Sequence, residues 1–187
     1  METSLAPGFL VAAPGLRDPS FRESVVLLVD HRPEGALGFV VNRPSDVSFR
    51  NVVEELQMTE EGVASPEVPV LVGGPVAPHT GWIVYDPGLR SVPNDARIEV
   101  NEGVQVSASR SVLRELAQEP DARRHLLVLG YAGWGAGQLD AELLEGSWIP
   151  VSLDPDVVFD TPYEDRWNAA LSSLGIDPRQ MVSPGLA

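Results

Sequence analysis

The chain has 187 residues, of which 43% are hydrophobic and 21% are charged. That length predicts a single domain over residues 1–187, able to bury about 70% of the surface of the unfolded chain. Cysteine is absent and all 13 basic residues are arginine. This composition excludes disulfides, thiolate ligands, a catalytic cysteine and a Schiff-base lysine.

The formal net charge of −14 repels phosphate backbones, so direct binding of DNA or RNA is disfavoured. No apolar run approaches the roughly 20 residues that cross a bilayer. The first residues also lack the basic start and apolar core of a signal peptide. We therefore expect a cytoplasmic protein with no membrane contact. Three histidines, His31, His79 and His125, have no metal-like spacing, and no metal site is predicted.

Apolar, β-branched runs predict the first strands. Residues 7–12 and 24–29 are almost continuously apolar, as expected for strands covered on both faces. The run 36–42 follows a Pro/Gly turn, which predicts an antiparallel hairpin with the second run. Ser48 then precedes a helix predicted over about 49–58, because apolar residues recur there at helical spacing.

The second half of the chain alternates short strands with short helices. Strands are predicted at 68–72, 82–85, 97–100, 104–107, 126–129 and 148–151. Ser109 is placed to cap one helix, and a second, short helix ends at Leu144. Thr161, Pro162 and Glu164 form a capping-box pattern for a C-terminal helix. The apolar stripe predicted for that helix is Tyr163, Trp167, Ala170, Leu171 and Leu174.

The order of these elements indicates the fold class. Several strands precede and interleave with three or four helices, without strict βαβ alternation. That pattern predicts an α+β fold, in which helices pack on a mixed sheet.

Glycines between residues 130 and 137 predict a loop after the central strand. Gly133, Gly135 and Gly137 give a G-x-G-x-G pattern, but Gln138 stands where the dinucleotide motif needs glycine. Asp140 and Glu142 are placed in the first turn of the next helix, where they would repel a phosphate. A nucleotide is therefore disfavoured and no cofactor is predicted. The alternative is a tight turn in which Trp134 packs.

Two further strand ends could join this loop in one site. Residues 73–75, Gly-Gly-Pro, end the strand predicted at 68–72. If this strand end lies at the same edge of the sheet as the glycine loop, the backbone amides of both segments converge on one cleft. Arg43, after a third strand, is placed either to bind an anion or to pair with a surface acid. The predicted binding residues are Asn42, Arg43, Pro44, Gly73, Gly74, Pro75, Gly133, Trp134, Gly135 and Gln138. No catalytic residue is predicted, because no serine lies in a G-x-S-x-G elbow and the acid pairs are typical of solvated faces.

Five fragments in this order, taken together, resemble the YqgE/AlgH family of small bacterial proteins. They are residues 7–14, 18–25, 35–44, 73–76 and 130–139. The resemblance implies a compact α/β fold whose mixed, bifurcated sheet curls into a pseudo-barrel flanked by helices, with three-layer character. It brings no catalytic residues, since members are mostly uncharacterised and one branch carries the label of a transcriptional regulator of alginate synthesis. Many relatives have a histidine near the end of the strand at 82–86; here His79 precedes that strand.

Two functional hypotheses follow. The first is a regulatory or accessory protein that acts through contact with an unidentified protein or small ligand and does not grip DNA. The second is an enzyme or small-molecule-binding protein that uses the cleft between the glycine segments, with Arg43 as an anion anchor and Gln138 as a polar contact. A purely structural role as an oligomer scaffold would require a large exposed apolar patch.

Overall fold

A computed structural model describes residues 4–57, 70–87, 97–118 and 124–181. The strands are β1 (Gly8–Ala12), β2 (Val25–Arg32), β3 (Gly35–Val40), β4 (Val70–Val72), β5 (Val76–Tyr85), β6 (Arg97–Asn101), β7 (Val104–Ser107), β8 (His125–Gly135) and β9 (Trp148–Val151). The helices are α1 (Phe49–Glu55), α2 (Arg110–Gln118), α3 (Gln138–Leu144), α4 (Pro155–Phe159), α5 (Arg166–Ser172) and α6 (Pro178–Met181).

The strands form one sheet that divides along β8. Its order is β6-β7-β5-β8-β3-β2-β1-β9, and β4 pairs separately with β8. The first half of β8 pairs with β5 and, in parallel, with β4, whereas residues 132–135 pair with β3. The α+β class and the mixed, bifurcated sheet are therefore confirmed. The sheet is open, because the end strands β6 and β9 do not pair with each other in the described residues.

Both faces of the central strands are covered, which explains their continuous apolar runs. In β2, Val25 and Leu27 point into the main core, while Val26 and Leu28 join a second core. The main core also receives α4 and α5, and the second core receives Leu139 of α3. A third core lies between β5, β8 and the helices α1 and α2. Because successive side chains of a strand point to opposite faces of the sheet, one strand contributes residues to two cores.

The hairpin of β2 and β3 and the start of α1 agree with the sequence predictions. Ser48 caps α1: its hydroxyl accepts from the Asn51 amide at 3.2 Å, and the Asn51 side chain accepts from the Ser48 amide at 3.2 Å. The Ser109 hydroxyl likewise accepts from the Ser111 amide, at 3.3 Å, at the start of α2. Helix α1 ends at Glu55, with Leu56 as its C-cap, so it is shorter than the predicted helix over about 49–58. The predicted strand start at 68–69 lies outside the described residues.

The predicted glycine loop is wrong in its extent. Strand β8 continues through Gly130 and Gly133 to Gly135, and only Ala136 and Gly137 form the turn before α3. The glycines stay in the strand because neighbouring backbone is paired or packed against them: Gly133 pairs with Leu37 and Gly135 with Gly35. Glycine was interpreted as a strand breaker, but here it permits close approach inside a strand.

The predicted capping box at Thr161 is also wrong. Helix α5 begins at Arg166 after the N-cap Asp165, and the Thr161 hydroxyl donates to the carbonyl of Asp156 at 3.2 Å. The preceding residues instead form α4, capped by Asp154 with proline at its first position. Tyr163 and Leu174, expected on the buried stripe, are exposed.

Strand β5 begins at Val76, six residues before the predicted start at Trp82. Its pairing with β8 is interrupted by a bulge between Val76 and Gly81. Ala77 in this bulge has a φ of 46°, an uncommon backbone conformation for a residue other than glycine. The bulge leaves residues 76–80 exposed beside the third core.

Candidate functional site

Asn42 and Arg43 clamp the loop that precedes β2. The Asn42 side chain accepts from the Val25 amide at 2.8 Å and donates to the Glu23 carbonyl at 2.8 Å. The Arg43 guanidinium donates to the Ser20 carbonyl and, at 3.2 Å, to the Arg22 carbonyl. Pro44 forms an isolated bridge with Leu71. The polar atoms of this segment are engaged by backbone of the same chain.

Gly73 and Gly74 pack directly on β8. The Gly73 amide donates to the Leu129 carbonyl at 2.7 Å, and the Val40 amide donates to the Gly73 carbonyl at 2.8 Å. A Cβ atom at Gly74 would lie 2.2 Å from the carbonyl carbon of Tyr131, far inside contact distance. Gly73 and Gly74 therefore contact the start of the predicted glycine loop, at Gly130 and Tyr131, through packed backbone.

A small pocket of about 100 Å³ lies beside this contact, lined by Ser20, Arg43, Gly74, Pro75 and two valines. The segment from Gly133 to Gln138 does not line it. The structure thus brings together two of the three predicted segments and places the third elsewhere, along β3.

Trp134 and Gln138 belong to a hydrogen-bonded corner centred on Glu142. One carboxylate oxygen of Glu142 accepts from the indole nitrogens of Trp134, at 2.9 Å, and Trp148, at 2.8 Å. The other oxygen accepts from the Gln138 amide at 2.9 Å, and the Gln138 carbonyl accepts from the Gly135 amide at 3.0 Å. Glu142, interpreted as a first-turn acid, lies beyond that turn and orders two tryptophans. Sequence alone did not reveal this role, because Trp148 comes from another strand.

A much larger groove lies beside the third core and is lined in part by Leu127 and Leu129 of β8. It has a volume of about 560 Å³, within the range of roughly 300–1,000 Å³ typical of ligand sites. Helix α1 and the start of α2 form its sides, together with the bulged part of β5. Its described lining residues are Val47, Val52, Glu55, Leu56, Pro78, His79, Thr80, Gly81, Ile83, Ala108, Ser109, Arg110, Leu113, Leu127 and Leu129.

The groove has an apolar floor and a polar rim. Ile83, Leu113 and Leu127 are buried in its floor, whereas His79 and Arg110 are exposed at its edge. None of the predicted site residues lines it. The sequence signal that could have located it is the Pro78–Gly81 interruption of β5, which suggests a bulge, but the covering helices come from distant parts of the chain.

Two arginines outside the groove have contrasting surroundings. Arg124 contacts Asp86, Asp156 and Asp160 at 3.1, 2.8 and 2.5 Å, and hydrogen bonds to these carboxylates raise its pKa. Arg166 is buried and donates to the carbonyls of Val41 and Thr161. Burial lowers the pKa of Arg166 to about 10, so it stays charged at neutral pH.

Tyr85 lies at the bottom of the third core. It is fully buried, and its hydroxyl has no hydrogen-bond partner among the described residues. Burial raises the pKa of this phenol, an effect that Arg97 partly opposes. No group of three or more His, Asp or Glu side chains in the described ranges is placed to hold a metal ion. None of the helices in those ranges is long and apolar enough to span a membrane.

An open, bifurcated mixed sheet with helices on its outer faces defines the class of this molecule, a small α+β protein. The chain belongs to the AlgH-like family, whose family model matches residues 9–179. The predicted family is therefore confirmed.

Relatives match along nearly the whole chain. A UPF0301 protein of Anaeromyxobacter dehalogenans is 46% identical over 185 residues, covering 97% of this chain and 93% of that protein. A UPF0301 protein of Vibrio atlanticus is 40% identical over 182 residues, covering 95% of this chain and 96% of that protein. These relatives carry a family name that states no activity.

Two solved structures share the fold. The solution structure of the AlgH protein from Pseudomonas aeruginosa superposes with a TM-score of 0.75 at 33% identity, covering all of this chain and 97% of that one. A crystal structure of a protein from Corynebacterium diphtheriae has a TM-score of 0.75 at 23% identity, with 98% and 95% covered. The second similarity concerns the fold alone.

Proposed function

We propose that this protein is a regulatory or accessory protein of the cytoplasm that acts by binding a small ligand in the groove between α1, α2 and β5. The observation that supports this proposal is the groove itself, open and about 560 Å³ in volume. The pocket at Arg43 and Gly74 is about 100 Å³, and the Arg43 guanidinium that lines it already donates to backbone carbonyls of the chain. The groove replaces the glycine cleft as our candidate site.

Binding is favoured over catalysis by the placement of the titrating groups. Perturbed pKa values often cluster at active sites. Here the groups with shifted pKa values are Tyr85, Arg124, Arg166, Asp177 and Arg179. Burial or a neighbouring ion pair accounts for each shift, and none of these residues lines the groove.

Direct DNA binding is disfavoured by the net charge of −14, and several of the arginines are already engaged within the chain. Arg124 and Arg179 are paired with carboxylates, while Arg43 and Arg166 bond to backbone carbonyls. Affinity for DNA depends on free cationic contacts to phosphates. A regulatory role would then be indirect, through the state of the groove.

Filling the groove from its floor tests this proposal. A Cβ atom at Gly81 would lie 3.7 Å from Leu127 and 4.0 Å from Leu129, which is ordinary contact, and Gly81 lines the groove, so we expect the larger side chain of Gly81→Leu to occupy part of it. Gly15→Leu is the matched control, because a Cβ there meets nothing within 4 Å and Gly15 does not line the groove. We expect a panel of metabolites to contain compounds that raise the melting temperature of the wild type and of Gly15→Leu, but not of Gly81→Leu.

Two results would contradict the proposal. The first is a set of ligands that stabilise Gly81→Leu as strongly as the wild type, which would place binding elsewhere. The second is tight, salt-sensitive binding of the purified protein to duplex DNA, which would replace indirect regulation with direct contact.

A further inference from the structure

We propose that the ligand of the groove is a small amphipathic monoanion, a carboxylate on an unbranched apolar chain of medium length. This inference depends on the proposed function, since it specifies the chemical class that the same groove accepts. It is supported by the apolar floor, by the charges at the rim, and by the size of the groove.

The floor matches an apolar chain. Ile83, Leu113 and Leu127 present aliphatic side chains, and Val52 and Leu56 continue this surface at the α1 side. Among the described residues, the floor carries no charged side chain. Each methylene of a ligand that becomes fully buried there should tighten binding by about fourfold.

The rim matches a single negative charge. Arg110 lies at the start of α2 and is exposed, and it contacts no carboxylate of the described residues, although acids outnumber arginines 27 to 13 in the chain. The arginines with a carboxylate contact are Arg32, Arg97, Arg124 and Arg179. An arginine without a carboxylate contact in the described ranges is available to bind the carboxylate of a ligand.

The remaining rim groups limit the ligand to one charge. His79, Thr80 and Ser109 are further polar residues in the lining of the groove. Glu55, the one carboxylate of the described lining, belongs to α1. A second anionic group on the ligand would add repulsion from this acid in the same groove, which disfavours dicarboxylates. The groove is also open, which permits chains of different lengths.

The test uses three eight-carbon ligands that differ in the head group: octanoate, octanol and octylamine. We expect calorimetry at low salt to show the tightest binding for octanoate, and tighter binding from hexanoate through octanoate to decanoate. Arg110→Gln should weaken octanoate by about fivefold and leave octanol unchanged, as expected for an exposed ion pair. Arg114→Gln, one turn further along α2 and outside the lining, is the matched control and should bind octanoate like the wild type.

Each other outcome is informative. Equal binding of all three ligands, lost in Gly81→Leu, would overturn the preference for an anion and leave the proposed groove site standing. Binding of other compounds from the panel but of none of this series would also overturn the ligand class alone. If no compound of either kind binds the groove, the proposed function fails as well. A dimer in solution that dissociates in Gly81→Leu would identify the occupant as a second copy of the chain and overturn the inference.

Discussion

Two regions that adjoin β8 differ in the hydrogen bonding of their polar side chains and in their open volume. The first, which we call the glycine junction, comprises Asn42, Arg43, Gly73, Gly74, Gly130 and Tyr131. The side chains of Asn42 and Arg43 bond to backbone, and the glycines allow backbone segments to touch. The second, the groove, has an open volume and an arginine without a carboxylate contact in the described residues. Glycine at a strand end thus marks close packing here, whereas the candidate binding surface lies in the groove between α1, α2 and the bulged part of β5.

The largest expected effect comes from a methyl group in the glycine junction. Gly74→Ala would place Cβ 2.2 Å from the carbonyl of Tyr131, at a φ of 153°. Because backbone would have to move, we expect the free energy of unfolding to fall by more than about 3 kcal/mol. Urea denaturation followed by circular dichroism measures this change.

Gly133→Ala is the control for that prediction. Its Cβ would meet only the ring of Tyr131, at 3.4 Å, so we expect a change below about 1 kcal/mol. Similar stabilities for Gly74→Ala and Gly133→Ala would show that the junction is loosely packed, and the distinction between the two regions would fail.

A smaller effect is expected from the clamp at Asn42. Asn42→Ala leaves the amide of Val25, a fully buried residue, without its side-chain acceptor and frees the Glu23 carbonyl. An unsatisfied buried donor costs about 1–3 kcal/mol, so we expect the free energy of unfolding to fall by about 2 kcal/mol. Binding of any groove ligand should persist with unchanged affinity.

Asn168→Ala is the matched control, because Asn168 is exposed on α5 and should change stability by less than about 0.5 kcal/mol. If Asn42→Ala weakened ligand binding without destabilising the fold, the glycine junction would be part of the binding site after all, as the sequence predicted.

The sequence predicted the elements of the fold better than the site, for a physical reason. Local patterns specified the β2–β3 hairpin, the Ser48 cap and the α5 core residues Ala170 and Leu171, because apolar periodicity and capping are local. The extent of β8 was missed since its glycines are stabilised by pairing with residues nearly 100 positions away.

The groove could not be predicted from local patterns. It is formed by residues of α1, α2 and the β5 bulge around Gly81. These segments are far apart in the sequence, so a local pattern does not predict that they come together. The role of Glu142 was missed in the same way. Its acidic side chain was interpreted through the nearest helix end, whereas its partners Trp134 and Trp148 come from two strands.

The smallest expected effect concerns Tyr85, below the groove. Its hydroxyl has no partner in the described residues, so Tyr85→Phe should raise the free energy of unfolding by about 1 kcal/mol at pH 7. Burial also raises the pKa of this phenol. Above pH about 10 the unfolded chain therefore loses a proton that the folded protein keeps, and stability falls as the pH rises.

Tyr85→Phe removes that contribution, so its advantage over the wild type should grow between neutral and strongly alkaline pH. Denaturation curves at neutral and at strongly alkaline pH measure the difference, with Tyr163→Phe, which removes the hydroxyl of an exposed tyrosine, as the control. A loss of stability in Tyr85→Phe would mean that the hydroxyl has a partner, such as a bound water. The region below the groove would then resemble the glycine junction in using its polar atoms internally, and the contrast between the two regions would be limited to the open volume.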